Sequence, residues 1–158
     1  MSVAFRRESD EEHKEPRFEL PLPPGPNLVT PRGLHLIEAK HAELEAAVAD
    51  AGGDEAERLR RELRYWSTRM TTAEIAPPPS EGEIGIGSRV VFRLNGKERS
   101  LDIVGADEAD PASDRIGFAA PLAQALIGGA VGDLVDFNGR GEAIEILDVT
   151  AIPDKERA

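Results

Sequence analysis

What most constrains this chain is a two-part apolar seam between Thr30 and Ile75. Leu34, Ile37, His41, Leu44 and Val48 recur at alternating steps of three and four residues. After a break at Ala51-Gly52-Gly53 the pattern resumes as Ala56, Leu59, Leu63, Trp66, Met70 and Ala73. Such spacing is the buried stripe of a coiled coil. Folding the runs antiparallel pairs Leu34 with Ala73, Ile37 with Met70, His41 with Trp66, Leu44 with Leu63 and Val48 with Leu59. One register satisfies all five and sets the turn near Gly53-Asp54. The stretch therefore predicts a helical hairpin over residues 30–75. Thr30 before Pro31 is a helix start, a hydroxyl cap followed by proline at the first helical position. Asp54 followed by Glu57 has the form of a capping box for the second arm.

Two arms of about 20 residues, roughly 30 Å long at 1.5 Å per residue, bury only a narrow stripe. The hairpin must gain stability where its base meets the rest of the chain, and 158 residues leave room for one ordinary domain there. The net charge is −11, spread along the sequence with some excess in residues 82–158. Sequence-independent nucleic-acid binding needs a cationic surface, so any such contact is expected to be weak or indirect, and a basic protein surface is the natural partner. With no cysteine there is neither a disulfide framework nor a thiolate zinc site. No apolar run has the length of a membrane span and the N-terminus has no signal-peptide core, so the expected location is the cytoplasm.

Residues 1–29 alternate charges and then turn proline-rich at Pro21, Pro23, Pro24 and Pro26, which reads as a disordered or extended tail. Residues 76–81, beginning Ala76-Pro77-Pro78-Pro79, form a stiff linker. From residue 82 to 153 the pattern is β-rich. Val90, Phe92 and Leu94 alternate onto one face, Asn95-Gly96 is a type I′ turn signal, and Lys97 to Val104 returns. The polar loop Asp107–Pro111 is followed by a short strand near Ile116–Phe118 and a short helix from Pro121 to Ile127. A second hairpin turns at Asn138-Gly139. This predicts an α+β architecture, with an N-terminal antiparallel helical hairpin and a small antiparallel-sheet domain. Residues 154–158 read as a short tail.

The order of parts resembles a known family. Val29-Thr30-Pro31-Arg32-Gly33, the hairpin, Ile103-Val104-Gly105-Ala106-Asp107-Glu108-Ala109-Asp110, Ala120-Pro121-Leu122-Ala123-Gln124-Ala125-Leu126-Ile127-Gly128 and Gly132-Asp133 are together similar to the GreA/GreB transcript-cleavage factors. The likeness spans residues 28–152 and is most specific over 103–133. It implies an FKBP-like C-terminal domain that docks on bacterial RNA polymerase near its secondary channel, with the coiled coil pointing inward. Two departures stand out. The hairpin is shorter than in cleavage factors by about seven turns over both arms, about 25 residues at 3.6 per turn. The acidic tip segment that helps those factors hold a catalytic magnesium is replaced by Asp50-Ala51-Gly52-Gly53-Asp54-Glu55. The second departure is Ala119-Ala120 before Pro121, where cleavage factors usually place a polar residue and Ser. Both departures resemble the Rnk-like members, which dock on polymerase without stimulating cleavage.

Each candidate site has a plain reading beside the functional one. Asp50, Asp54 and Glu55 at the tip offer carboxylates to a shared magnesium, or else one caps a helix and the others are solvated. His41 on the seam reads as a packed histidine. Arg58, Arg60, Arg61, Arg64 and Arg69 make the second arm basic, either as a solvated face or as a contact to RNA or an acidic wall. Gly82, Gly85 and Gly87 precede a strand rather than link strand to helix, so they read as shaping the start of the domain and not as a phosphate loop. Phe118, Pro121 and Leu122 form a candidate polymerase-docking patch, with Asp107 and Glu108 meeting basic polymerase residues or forming a solvated turn.

The reading that follows is a non-enzymatic, cofactor-free transcription regulator. It binds bacterial RNA polymerase and competes with cleavage factors, through a coiled coil too short for transcript cleavage. The alternatives are a cleavage factor acting through its tip carboxylates and an FKBP-like peptidyl-prolyl isomerase. The second is weakened because only Phe92, Phe118 and Phe137 remain to line an isomerase pocket.

Overall fold

A computed structural model of the chain describes residues 19–153. The tails read at 1–18 and 154–158 lie outside the described residues. Strand β1 (Leu28–Val29) leads into helix α1 (Pro31–Asp50), which is followed by helix α2 (Gly53–Thr72) and strand β2 (Glu74–Ile75). Thr30 caps α1 by accepting a hydrogen bond from the Gly33 amide at 3.0 Å, and Pro31 occupies the first turn. The connection between the helices is Ala51-Gly52, two residues earlier than the predicted turn. Asp54 is consequently not a cap. Gly52 holds that position without a side-chain bond, and Asp54 and Glu55 lie in the first turn of α2, where their charges complement the helix dipole.

The seam residues are those drawn away from solvent. Ile37, Leu44 and Ala56 are buried, and Leu34, His41, Val48, Leu59, Leu63, Trp66 and Met70 are half-buried. Tyr65 and Trp66 meet edge to face, with centroids 5.1 Å apart. The α1–α2 finger is thin, as two helices alone must be.

Beyond the proline linker come β3 (Ser88–Leu94), β4 (Lys97–Val104), β5 (Arg115–Gly117), helix α3 (Pro121–Leu126), β6 (Leu134–Phe137) and β7 (Arg140–Ala151), with single helical turns at Ala106–Glu108 and Pro111–Ser113. The sheet order is β5-β4-β3-β7-β6. All pairings are antiparallel except β4 with β5, which run parallel, so the sheet is mixed at one edge. Asn95 and Gly96 (φ 54° and 77°) and Asn138 and Gly139 (φ 56° and 83°) are both left-handed, as type I′ turns require. One sheet face packs on α3 around Val90, Phe92, Leu101, Ile103, Ala123, Leu126, Ile144 and Ile146. At the start of the domain Gly85 lies against Pro79.

The N-terminal boundary needs correction. Residues 27–29, read as part of the tail, are built into the fold. β1 pairs in parallel with β2 across the base of the hairpin, and Asn27 and Val29 are buried. The Glu74 amide donates to the Asn27 carbonyl and the Ala76 amide to the Val29 carbonyl, both at 2.9 Å.

Candidate functional site

The joint between finger and sheet domain is polar, and it gathers residues that lie far apart in sequence. The loop after β4 carries Gly105, Asp107 and Glu108 into the base of the hairpin. A side chain at Gly105 would place a Cβ 2.5 Å from the Leu28 carbonyl oxygen, so only glycine allows this approach. The Asp107 carboxylate accepts from the Tyr65 hydroxyl and from Arg69 Nε, each at 2.6 Å. Arg69 is buried and also donates through Nη2 to Asn27 Oδ1 at 2.7 Å. The Asn27 amide in turn donates to the Arg69 carbonyl at 2.8 Å. Burial, reinforced by the Asp107 carboxylate, pushes the Tyr65 hydroxyl up to about 12.

Glu108, also buried, closes the other side of the joint. It accepts from the Thr30 hydroxyl and, at 3.0 Å, from Arg32 Nη1. Thr30 therefore caps α1 and reaches the sheet domain with the same oxygen. A Cβ on Gly33 would sit 2.8 Å from Glu108 Oε1, which explains a glycine in the first turn of a helix. The acidic pair offered to a basic partner surface thus spends both carboxylates within the chain. What the sequence reading missed was the partner set: Asn27, Thr30, Arg32, Tyr65 and Arg69. The signal available was Thr30-Pro31-Arg32-Gly33 beside a Gly-Ala-Asp-Glu loop.

The basic arm is largely neutralised. Arg58 pairs with Glu55 and, at 2.7 Å, with Glu62; Arg60 lies 3.7 Å from Glu57; Arg64 binds Glu19 at 2.8 Å. Arg69 belongs to the joint rather than to a solvated face. At the tip Asp50, Asp54 and Glu55 are exposed, and the hydrogen bond from Arg58 holds the Glu55 carboxyl below its usual range. Among the described residues no group of three or more His, Cys, Asp or Glu side chains is arranged to hold a metal ion. His41 is half-buried on the seam, with Glu45 3.6 Å away one turn on.

The structure separates the three docking candidates. Pro121 is exposed at the first turn of α3, whereas Phe118 and Leu122 are half-buried and pack against the core. Gln124 donates to the Phe118 carbonyl at 2.7 Å, tying α3 to the segment before it. Leu126 is wholly core and Ile127 is partly exposed. Val131 and Leu134, not among the docking candidates read from the sequence, are the more exposed aliphatic side chains nearby, at 56% and 53%.

Fold and joint together define a class: an α+β protein in which a two-helix finger is latched at its base onto a mixed-sheet body. The family profile described as "Transcription elongation factor, GreA/GreB, C-term" matches residues 79–152. The chain is 36% identical to the transcription elongation factor GreB of Pasteurella multocida over 115 residues, which covers 62% of this chain and 73% of that protein. It is 36% identical to the Neisseria meningitidis GreB over 101 residues, covering 60% of this chain and 61% of the relative's length. The chain belongs to the GreA/GreB family. Among solved structures it is similar to Thermus aquaticus Gfh1, at 19% identity over 80% of this chain and 99% of that one, with a TM-score of 0.40. No helix among the described residues is long and apolar enough to cross a membrane.

Proposed function

We propose that this protein is a non-enzymatic transcription regulator of the short-coiled-coil, Rnk-like kind. In this reading it binds bacterial RNA polymerase near the secondary channel and competes there with cleavage factors. The observation that carries the reading is the length of the finger. Each helix has 20 residues, roughly 30 Å at 1.5 Å per residue. A carboxylate at the apex of such a finger stops short of a metal that a longer coiled coil is built to reach. Family membership supports the transcriptional role, and the body supplies the docking face at α3, with Pro121 presented to solvent and Phe118 and Leu122 shaping the surface beneath it. Asp107 and Glu108 contribute to docking by fixing the angle of the finger.

A second reading, an active cleavage factor, draws on Asp50 and Asp54, which are exposed at the apex. Two measurements decide between them. Co-purification with core polymerase, repeated against a cleavage factor of full length, should show mutually exclusive binding. Stalled-complex cleavage should show no acceleration. Acceleration that is lost in Asp54→Ala would overturn the regulatory reading, and absence of any polymerase binding would overturn both.

A further inference from the structure

The segment before β1 is an extended, proline-rich strip held at both ends. At one end Glu19 binds Arg64 of α2 at 2.8 Å. At the other, Asn27 is buried and bonded to Arg69 through both its oxygen and its nitrogen. Between them runs Leu20-Pro21-Leu22-Pro23-Pro24-Gly25-Pro26. Leu20, Leu22 and Pro23 each precede a proline, which disfavours the helical region for them, and the prolines fix φ near −65°. Residues 20–23 are therefore biased towards an extended, polyproline II-like backbone, and the chain bends at Pro24-Gly25, with Gly25 at φ 83°. They lie in neither helix nor sheet, and no hydrogen bond among the described residues involves residues 20–26. Leu20 and Leu22 are 40% and 49% exposed.

We infer that residues 20–24 are a recognition strip for a protein partner whose groove is lined with aromatic side chains. The pattern fits that chemistry in three ways. Leu20-Pro21 and Pro23-Pro24 are two apolar-proline pairs separated by one residue, the spacing with which a three-residue-per-turn helix sets two ridges into adjacent aromatic clefts. The carbonyls between them, which accept no hydrogen bond among the described residues, are acceptors for the ring N–H or hydroxyl groups of such a groove. Buried Asn27 fixes one end of the strip and the exposed Glu19–Arg64 pair restrains the other, which lowers the ordering entropy that binding must remove. A second copy of this chain is a poor occupant, because Tyr65 and Trp66 are engaged with each other and Tyr65 also with Asp107. The inference is independent of polymerase docking, which is placed on α3.

The test uses the full chain with a photo-crosslinking residue replacing Leu22, and as a control the same residue replacing Lys97, which is exposed in the sheet domain. Both are irradiated in a lysate of the source organism. The expected result is an adduct at position 22 but not at 97. It should fall at least tenfold with excess peptide of residues 19–27, be unaffected by the same peptide bearing P21A and P24A, and map to an aromatic-lined surface of the captured protein. Introducing P21A and P24A into the full chain should abolish the adduct while leaving the thermal midpoint unchanged, since both prolines are exposed. No adduct at position 22, an adduct to a second copy of this chain, insensitivity to the competing peptide, or mapping to a surface without aromatic residues would each overturn the inference.

Discussion

Replacing Asp107 with alanine tests whether the joint is what holds the finger to the body. Arg69 is 5% exposed and Asp107 7% exposed at their side chains, with 2.6 Å between Nε and Oδ2, so the variant strands a guanidinium in a buried site. Removing one partner of a buried ion pair costs about 3–5 kcal/mol, most of it the penalty of the unpaired charge. Arg69 keeps its bond to Asn27 Oδ1, which places the expected loss near the low end, at about 3 kcal/mol. For a chain of this size that corresponds to a fall in thermal midpoint of roughly 6–12 °C. The sole tryptophan, Trp66, lies in α2, so its fluorescence follows the finger during urea unfolding while far-ultraviolet circular dichroism follows the whole chain. Pairing Asp107→Leu with Arg69→Leu should restore much of what Asp107→Leu alone loses, because no buried charge then remains. A loss below about 1 kcal/mol for Asp107→Ala would refute the reasoning, since surface ion pairs contribute at most that much. Equal destabilisation in the single and double leucine variants would refute it too.

Tyr65 is the only tyrosine, so tyrosinate absorbance reports on it alone. Its folded pKa is raised to about 12 by burial and then by Asp107, so its contribution to stability is fully present below its unfolded value near 10 and fades as pH rises from there toward 12. Absorbance titration of the native protein should give a midpoint well above 10, and Asp107→Asn should lower it. Gly105→Ala forces a Cβ to within 2.5 Å of the Leu28 carbonyl and should displace β1, read as faster amide exchange at Glu74 and Ala76 and a loss of about 1–3 kcal/mol from overpacking. Pro121→Glu alters an exposed position and should leave the thermal midpoint unchanged while weakening co-purification with core polymerase at least tenfold, about 1.4 kcal/mol. Unaltered polymerase binding would remove Pro121 from the docking face.

The parts of the fold that repeat locally could be read from the chain. A seam with steps of three and four residues, two Asn-Gly turns and the Thr-Pro helix start each place their constraint within a few residues, and all three appear where they were expected. The joint did not announce itself in this way. β1 and β2 are two residues each, too short for any alternation, and they pair only because the intervening hairpin brings them together. Asp107 and Glu108 sit in a Gly-Ala-Asp-Glu loop of the kind that ordinarily faces water, and their partners are 38 to 78 residues away. Arg69 looked like one more cation on a basic arm. Its burial depends on Asn27 and Asp107 arriving from opposite directions, which no helical period encodes. Leu122 shows the converse: it was legible as apolar but not as half core and half surface, because that division depends on where α3 settles on the sheet.

A thin finger and a polar joint have a joint consequence. Only Ile37, Leu44 and Ala56 are fully withdrawn along the seam, so α1 and α2 bury too little to be stable as an isolated pair. Most of what fixes them lies at one end, in directional bonds from Asp107 and Glu108 to Arg69, Tyr65, Thr30 and Arg32. Apolar packing tolerates sliding, whereas a bidentate set of charged and hydroxyl donors does not, so the finger's direction is set more sharply than its stability alone would require. The cost of that precision is that the tip, some 30 Å from the joint at 1.5 Å per residue, inherits every loosening at the base. If the finger enters a channel mouth, as proposed above, a fixed angle matters to it more than reach.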